Sequence, residues 1–475
     1  MSDKNRIADN KSMQSKSDLE KTVQNTDEKI LVDRNVSNEE IRVPSENNTS
    51  SALPKTGSNF EQIELDLKSV EQVQLKAVKE TKASNNQKKY KKHNNTRSNP
   101  KQNSPVIPPG ILLEYRIKRL VFNLGYYPRM GIDLKTSYGE TADKITDLDV
   151  YGIYIHKDFT TKTLWADCKS GEVKIHDRLS WIKGVMGSIQ INDVILVAGG
   201  VRTSVKQYAR KSGIQILGLN IIEKLEQQYD IKSDDWRGSW NPDTQFNKII
   251  TLSRISIPLN EQYKKIANFI SSDYWVMDNY SKAKKALTAL RELSSVVSIP
   301  THEEQSKAIK WAIYDLIVMF LLATLNISKE LYYFSDSEKK ETIYEGLSSG
   351  DLPNKKRAEI IDAAFRYVYN TLKNQVPDFQ VPSKMPTINL NPPSYSDAFF
   401  NLILRITSKP SHYFDILRFM DFVLMEYDLN EKPYNENELK AMFNNYDAVL
   451  IGAKTLLHFI CHTTDISRTS FCLLR

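Results

Sequence analysis

Helical and strand patterns alternate along residues 111–229, and this alternation constrains the fold more than any other feature of the chain. Five strands are predicted from alternating or wholly apolar runs rich in β-branched and aromatic residues, at 132–138, 147–155, 163–169, 193–198 and 214–217. Four helices are predicted around them, at 111–124, 178–189, 203–211 and 221–229. The order α-β-β-β-α-β-α-β-α predicts an α/β domain with a mixed sheet.

Residues 1–108 differ in composition from the rest of the chain. They contain two aromatic residues, Phe60 and Tyr90, whereas all six tryptophans come later. Such a segment buries too little apolar surface to offset the entropy that is lost on ordering, so we predict disorder. Within it, residues 60–80 carry apolar side chains at helical spacing, which indicates either a partner-bound helix or a solvated linker.

A cationic arm closes this N-terminal region. Seven basic residues and no acidic residue lie between positions 82 and 101, namely Lys82, Lys88, Lys89, Lys91, Lys92, Arg97 and Lys101. A flexible segment of this kind gains free energy from counterion release on a phosphate backbone, and the alternative is a solubilising tail. In the nucleic-acid interpretation, the contacts come from Lys88, Lys89, Lys91 and Lys92.

The chain after Ile255 is predicted to be helical nearly throughout. Candidate helices cover 261–270, 280–294, 303–326, 355–374, 394–407, 413–427 and 436–462. Long helices with apolar faces usually form a bundle. This region is therefore expected to form a homodimer interface, to bind a protein partner or to grip DNA, and the sequence does not choose among these roles.

The most apolar run, residues 311–325, predicts a buried core helix rather than a membrane span. It is shorter than the ~20 residues that cross a bilayer, and it contains Asp315. The N-terminal stretch MSDKNRIADN lacks the apolar core of a signal peptide. We therefore expect a cytoplasmic protein without membrane association, in which the three cysteines stay reduced.

Three polar residues on two neighbouring predicted strands form the candidate site. Asp149 lies in one strand, and Asp167 and Lys169 lie in the next, two positions apart and so on the same face. A hairpin-like connection brings Asp149 alongside them. Two converging carboxylates repel each other unless a hard cation lies between them, and oxygen ligands of this kind suit Mg²⁺. A metal-bound water loses a proton more easily, which suits phosphodiester hydrolysis.

The stretches LDVYG, with Asp149, and DCKSG, with Asp167 and Lys169, resemble the acidic motif and the (D/E)xK motif of the PD-(D/E)xK nuclease superfamily. Mrr-like restriction endonucleases are the most similar type, and the likeness covers residues 111–229. The first helix carries Glu114, as the family's first helix carries an acidic residue. Downstream, DVILVAGG and VKQYARKSGIQIL resemble the family's next strand, its alanine-bearing helix and the strand that follows.

This resemblance implies a role for each site residue. Asp149 and Asp167 would ligate the metal with help from the backbone carbonyl of Cys168, Lys169 would position the attacking water, and Glu114 would hold a second metal or its water. The sequence departs from the family pattern at Leu148, where the motif has proline, and it lacks the Mrr-type glutamine.

Two alternatives to Asp149 stay open. Asp147 lies two residues earlier on the same strand face and could replace or assist it, and Gly131-Ile132-Asp133 could imitate the first acidic motif.

Basic residues around the second half of the α/β region are the candidate phosphate contacts. Lys174, Arg178 and Lys206 are the ones we select, against the alternative of a solvated helix face. The sequence HFICH, with His458 and His462 at helical i,i+4 spacing, resembles a zinc pair but lacks further ligands and is read as packing residues.

The resemblance implies a restriction-endonuclease-like α/β domain with a mixed sheet. Composition predicts the disordered arm before it, and helical periodicity predicts the all-α helical domain after it. The boundaries are 1–108 for the arm, 109–232 for the α/β domain, 233–258 for a connector and 259–475 for the helical domain. The implied function is a DNA endonuclease of a restriction, phage-defence or mobile-element type that uses Mg²⁺, with Mn²⁺ as the alternative ion. The competing interpretation is an inactive nuclease-like scaffold that binds nucleic acid or assembles with proteins.

Overall fold

The computed structural model describes residues 107–475, apart from 140, 172, 190, 301, 350–353, 377–378 and 381–390. The predicted N-terminal disorder, the helix at 60–80 and the cationic arm with Lys88, Lys89, Lys91 and Lys92 therefore lie outside the described residues. The region Pro100–Arg475 forms one compact unit, and the architecture below belongs to it.

A five-stranded mixed sheet lies in the first part of this unit. Its strands are β1 (Tyr127–Lys135), β2 (Lys144–Ile155), β3 (Thr161–Cys168), β4 (Asp193–Val197) and β5 (Ile214–Leu217), in that spatial order. The first three strands pair antiparallel, and β3, β4 and β5 pair parallel. The accompanying helices are α1 (Pro109–Asn123), α2 (Ile175–Ser188), α3 (Thr203–Lys211) and α4 (Leu219–Gln228). The predicted element order and the mixed sheet are confirmed.

Both faces of the sheet are covered, which explains why β4 reads as a continuous apolar run. Val194 and Leu196 pack into a core that contains Leu179 of α2 and Ala209 of α3. Val197 faces the opposite core, which contains the apolar residues of α1 and α4. Alternate side chains of the strand therefore enter two separate cores, as the period of two in a strand requires.

The second part of the unit is helical. Its helices are α5 (Pro242–Gln245), α6 (Lys248–Arg254), α7 (Asn260–Ser271), α8 (Asn279–Ser294), α9 (Glu303–Glu330), α10 (Asp336–Ser349), α11 (Asn354–Gln375), α12 (Ser396–Ser408), α13 (Ile416–Val423), α14 (Glu436–Met442) and α15 (Tyr446–Thr464). Apart from α5 and α11, these helices contribute to one large core, which also contains Phe122 of α1, Tyr127 of β1 and Ile153 of β2. Trp240, in the segment predicted as a connector, is also buried in that core.

Helix α9 is the central element of this core. Among the described residues it is the one helix long and apolar enough to cross a membrane, and 89% of its apolar window is buried inside the protein. The prediction of a buried core helix at 311–325 is confirmed, because the residues on all sides of α9 pack against other elements.

Two predicted helices differ from the structure. The one expected at 413–427 begins at Ile416 and changes at Leu424 into a π-helical turn, Leu424–Leu429. The one expected at 436–462 is two helices, α14 and α15, since Phe443 adopts an extended conformation and is buried. Helices α5, α6 and α10 are absent from the predicted set, and α5 and α6 lie in the segment 233–258 that is predicted as a connector.

Candidate active site

The strands β2 and β3 separate at one end, and the candidate site lies there. Their antiparallel pairing runs from Ile155↔Thr161 to Val150↔Ala166 and stops. Beyond that point β3 continues its parallel pairing with β4 through Cys168. The backbone N–H of Cys168 therefore has no main-chain partner on β2, and it donates instead to a side chain of that strand, Asp149 Oδ2, at 2.8 Å.

Lys169 joins the two carboxylates at this opening. Its Nζ lies 3.0 Å from Asp149 Oδ2 and 3.0 Å from Asp167 Oδ1. Its backbone N–H donates to the carbonyl of Val197 at 3.0 Å, which fixes the residue to the end of β4. Burial lowers the pKa of Lys169, but the two carboxylates outweigh that effect, so the pKa is raised and the side chain is a cation. The structure thus brings together three of the predicted site residues.

Asp167 is fully buried and has a second basic partner. Arg178 of α2 donates from Nε to Asp167 Oδ2 at 2.7 Å and from Nη2 to Asp167 Oδ1 at 2.5 Å, a bidentate pair. The guanidinium also lies over the Trp181 ring, 3.6 Å from its centroid. Arg178 therefore has an internal role in holding Asp167, which the prediction of a phosphate contact did not include.

Glu114 faces the same cluster from α1. Within the described part of the chain, neither a hydrogen bond nor an ion pair engages its carboxylate. Burial first, and the neighbouring charge of Asp149 second, raise its pKa to about 7. Burial also raises the pKa of Asp149, against the opposing effects of the Cys168 N–H and Lys169. Burial is thus the main reason why both carboxyl groups hold their protons to a higher pH than usual.

The position of α1, and hence of Glu114, is fixed by close packing and by buried ion pairs. Gly152 of β2 allows the helix to approach, because a Cβ at that position would lie 2.8 Å from Val121 Cγ1. Arg116 and Arg119 donate to Glu226 of α4. Arg119, which is 1% exposed, also donates to the carbonyls of Lys232, Ser233 and Asp235.

The cluster contains carboxylate oxygens, which are the kind of donor that Mg²⁺ takes. This ion typically takes one or two carboxylates and completes its coordination with water and substrate phosphate. Asp149 Oδ1 and the Glu114 carboxylate accept no hydrogen bond from the described residues and are the oxygens available. Asp167 would have to exchange its Arg178 and Lys169 contacts for the ion. As they stand, no three His, Cys, Asp or Glu side chains in the described ranges are grouped to hold a metal.

Among the described residues, no hydrogen bond or ion pair links the other predicted residues to this cluster, although the charge of Asp147 contributes to the raised pKa of Glu114. Asp147 is exposed and forms an ion pair with Lys144, which also contacts Asp133 at 2.8 Å. Lys174 is exposed and Lys206 is half-buried.

His458 and His462 are both exposed on α15, so the prediction that they are packing residues is wrong. No metal-binding group is found around them in the residues that the structure describes.

Comparison of the chain with models of known protein families, with curated proteins and with solved structures finds no match.

The raised pKa of Glu114 predicts a pH-dependent effect on stability. Because its folded-state pKa of about 7 exceeds the ordinary value of 4.5, the protonated form favours the fold. This contribution is complete below pH 4.5 and is lost as the pH rises through 7. After allowance for solvent screening, we expect the free energy of unfolding of Glu114→Gln to exceed that of wild type by about 1–2 kcal/mol at pH 8. At pH 4.5 the two free energies of unfolding should be nearly equal.

Urea unfolding at both pH values, with a chelator present, measures this difference. Glu223→Gln, on the surface of α4, is the matched control and should show no pH-dependent gain. An equal gain from the two variants, or none from Glu114→Gln, would contradict the assignment.

Proposed function

We propose that this protein is a metal-dependent DNA endonuclease of the PD-(D/E)xK type. The observation that carries the proposal is the Lys169 ammonium held 3.0 Å from both Asp149 and Asp167, where two strands separate. The order α-β-β-β-α-β around this point is the one that the resemblance implies. The restriction-endonuclease-like fold and the cleavage chemistry both belong to this proposal.

In this function, Asp149 and Glu114 would hold Mg²⁺, with Asp167 and the Cys168 carbonyl as further oxygens. When bound, the ion would supply a more acidic water and would neutralise charge on the scissile phosphate. Lys169 would orient the attacking water and would stabilise the negative charge that develops on the phosphate.

A cleavage assay on supercoiled plasmid tests the proposal. We expect nicked or linear product in Mg²⁺ or Mn²⁺ and none in chelator. Lys169→Met is the test variant and should not cleave. Lys224→Met, which removes an exposed lysine from α4, is the control and should cleave as wild type does. Cleavage that persists in Lys169→Met would reject the site.

A specific observation favours the second function, an inactive nuclease-like scaffold that binds nucleic acid. Asp167, the acidic residue of the D-x-K motif, is fully buried, and Arg178 engages both of its oxygens. An ion pair of this kind stabilises a site without metal. DNA binding without cleavage in Mg²⁺ or Mn²⁺ would support the scaffold, and cleavage would exclude it.

The cationic arm predicts a change in the salt dependence of DNA binding. Deletion of residues 82–101 removes seven basic residues. If all seven contact phosphates, the slope of log affinity against log salt should become shallower by about six. Fluorescence anisotropy between 50 and 300 mM salt (roughly the range over which counterion release is measured) gives the slope. The control replaces 82–101 with a neutral Gly/Ser segment, and an unchanged slope in either form would reject a role for the arm.

A further inference from the structure

A cavity of about 340 Å³ lies between α1, β1 and the helical part of the compact unit, beside the carboxylate cluster. Glu114 belongs to the cavity and to the carboxylate cluster, since it lines the cavity and lies near Asp149. The volume is at the lower end of the ~300–1,000 Å³ of small-molecule sites. The cavity therefore adjoins the point where a nucleic-acid backbone would lie in the proposed function.

Two buried polar atoms on residues that line this cavity have no hydrogen-bond partner among the described residues. They are Arg129 Nε, a donor, and Asp315 Oδ2, an acceptor. Both residues are more than nine-tenths buried, with exposed fractions of 8% and 3%. Native proteins rarely leave such groups unpaired, because desolvation without a hydrogen bond is costly. Arg129 and Asp315 pair with each other through Nη1 and Oδ1, and the two atoms that stay unpaired are enclosed in the wall of the cavity, where a ligand would meet them only if it offered both an acceptor and a donor.

The charges around the cavity balance. Three acidic residues line it (Glu114, Asp315 and Asp421), and so do three basic ones (Lys118, Arg129 and Lys248). Lys248 is already paired with Glu304 at 2.7 Å. The cavity thus lacks the excess of positive charge that binds a phosphate group, and it favours a neutral or dipolar ligand.

Lys118 and Asp421 extend the hydrogen-bonding surface. Lys118 Nζ donates to the Ser239 carbonyl at 2.8 Å, and burial lowers its pKa to about 8. Burial raises the pKa of Asp421 to about 6. No ion pair joins the two side chains. Asp421 Oδ2 accepts from the Ser239 hydroxyl, which leaves Asp421 Oδ1 and the remaining Lys118 protons for a ligand. Phe246 and Trp311 add aromatic surface to the lining.

We propose that this cavity binds a nucleobase, and that it receives a base extruded from DNA next to the scissile phosphate. The extrusion of the base from DNA rests on the proposed function. A base is a flat ring whose edge places donors beside acceptors, which matches the unpaired atoms and the balanced charge. Enzymes that take a base out of the stack read it by hydrogen bonds to its edge and by aromatic or apolar contacts.

The first measurement uses free ligands on the full chain. Each of the four deoxynucleosides is titrated calorimetrically, with inorganic phosphate as the probe for a plain anion site. At least one deoxynucleoside should bind, and Lys118→Met should weaken it about tenfold. Ile250→Trp, at the exposed mouth, fills the cavity without changing its charged residues and should also abolish binding. Lys224→Met, on α4, should bind as wild type does.

The second measurement uses a duplex that carries 2-aminopurine, whose fluorescence rises when the base leaves the stack. Binding of the wild type without metal should raise the signal, and Ile250→Trp should remove the rise. A nucleoside that binds without any rise on DNA assigns the cavity to free nucleosides and overturns the extrusion step.

Plasmid cleavage separates the two proposals. Cleavage with neither nucleoside binding nor a fluorescence rise overturns the cavity proposal and leaves the nuclease intact. Nucleoside binding without cleavage supports the cavity and rejects the nuclease. Phosphate binding that Ile250→Trp abolishes overturns the nucleobase assignment.

Discussion

Asp149→Asn is expected to lower plasmid cleavage in Mg²⁺ by about 10²–10⁴-fold while the protein stays folded. The substitution keeps an oxygen that can accept from the Cys168 N–H but removes the charge that Lys169 and a metal ion would meet. Because burial raises the pKa of Asp149, the fold does not favour its ionised form, so a neutral side chain of the same shape costs little stability.

The matched control for this substitution is Asp193→Asn. Asp193 begins β4 and forms an exposed ion pair with Lys162 at 2.7 Å, so its loss should leave cleavage unchanged. Initial rates on plasmid, with thermal unfolding of each variant, provide the comparison. If Asp147→Asn abolished cleavage and Asp149→Asn did not, the acidic motif would belong to Asp147.

Arg129→Met is expected to reduce the free energy of unfolding by about 3–5 kcal/mol, because it leaves Asp315 as an uncompensated buried charge. Arg129 on β1 forms an ion pair with Asp315 on α9. Both are buried, and Arg129 also lies 5.6 Å from the centroid of the Trp275 ring. This pair connects the sheet to the central helix across the interior of the compact unit.

Chemical unfolding of the single and double variants tests this role. The double variant Arg129→Met, Asp315→Leu should recover most of the loss, since apolar replacement of a whole buried pair is often neutral. Lys162→Met, which breaks the exposed Lys162–Asp193 pair, should cost less than about 1 kcal/mol. If Arg129→Met and Lys162→Met lowered the free energy of unfolding equally, the buried pair would contribute no more to stability than the exposed one.

Local patterns were sufficient to predict the sheet and the convergence of three site residues. The i, i+2 spacing of Asp167 and Lys169, with Asp149 one strand away, follows from the geometry of a strand and its hairpin neighbour. The structure places Lys169 between the two carboxylates accordingly. The opening of β2 from β3 could not be predicted, because it depends on where β3 transfers its pairing to β4.

Contacts that depend on how whole helices and strands pack together could not be predicted from the sequence. The Arg178 pair with Asp167 depends on the angle at which α2 crosses the sheet. The Arg129–Asp315 pair joins residues 186 positions apart, and no local pattern relates them. The sequence marks Asp315 as an exception within an apolar run, but no residue near it in the chain points to Arg129 as its partner. The cavity beside Glu114 likewise exists only once α1, β1 and the later helices are packed.

The contacts of Arg119 have a practical consequence for dissecting the protein. A recombinant fragment that stops at residue 232 would include the whole sheet, yet it would remove the Ser233 and Asp235 carbonyls from a guanidinium that is 1% exposed. It would also take away the Ser239 carbonyl that holds Lys118. A truncation that is meant to keep the first helix in place should therefore extend at least to Asn241.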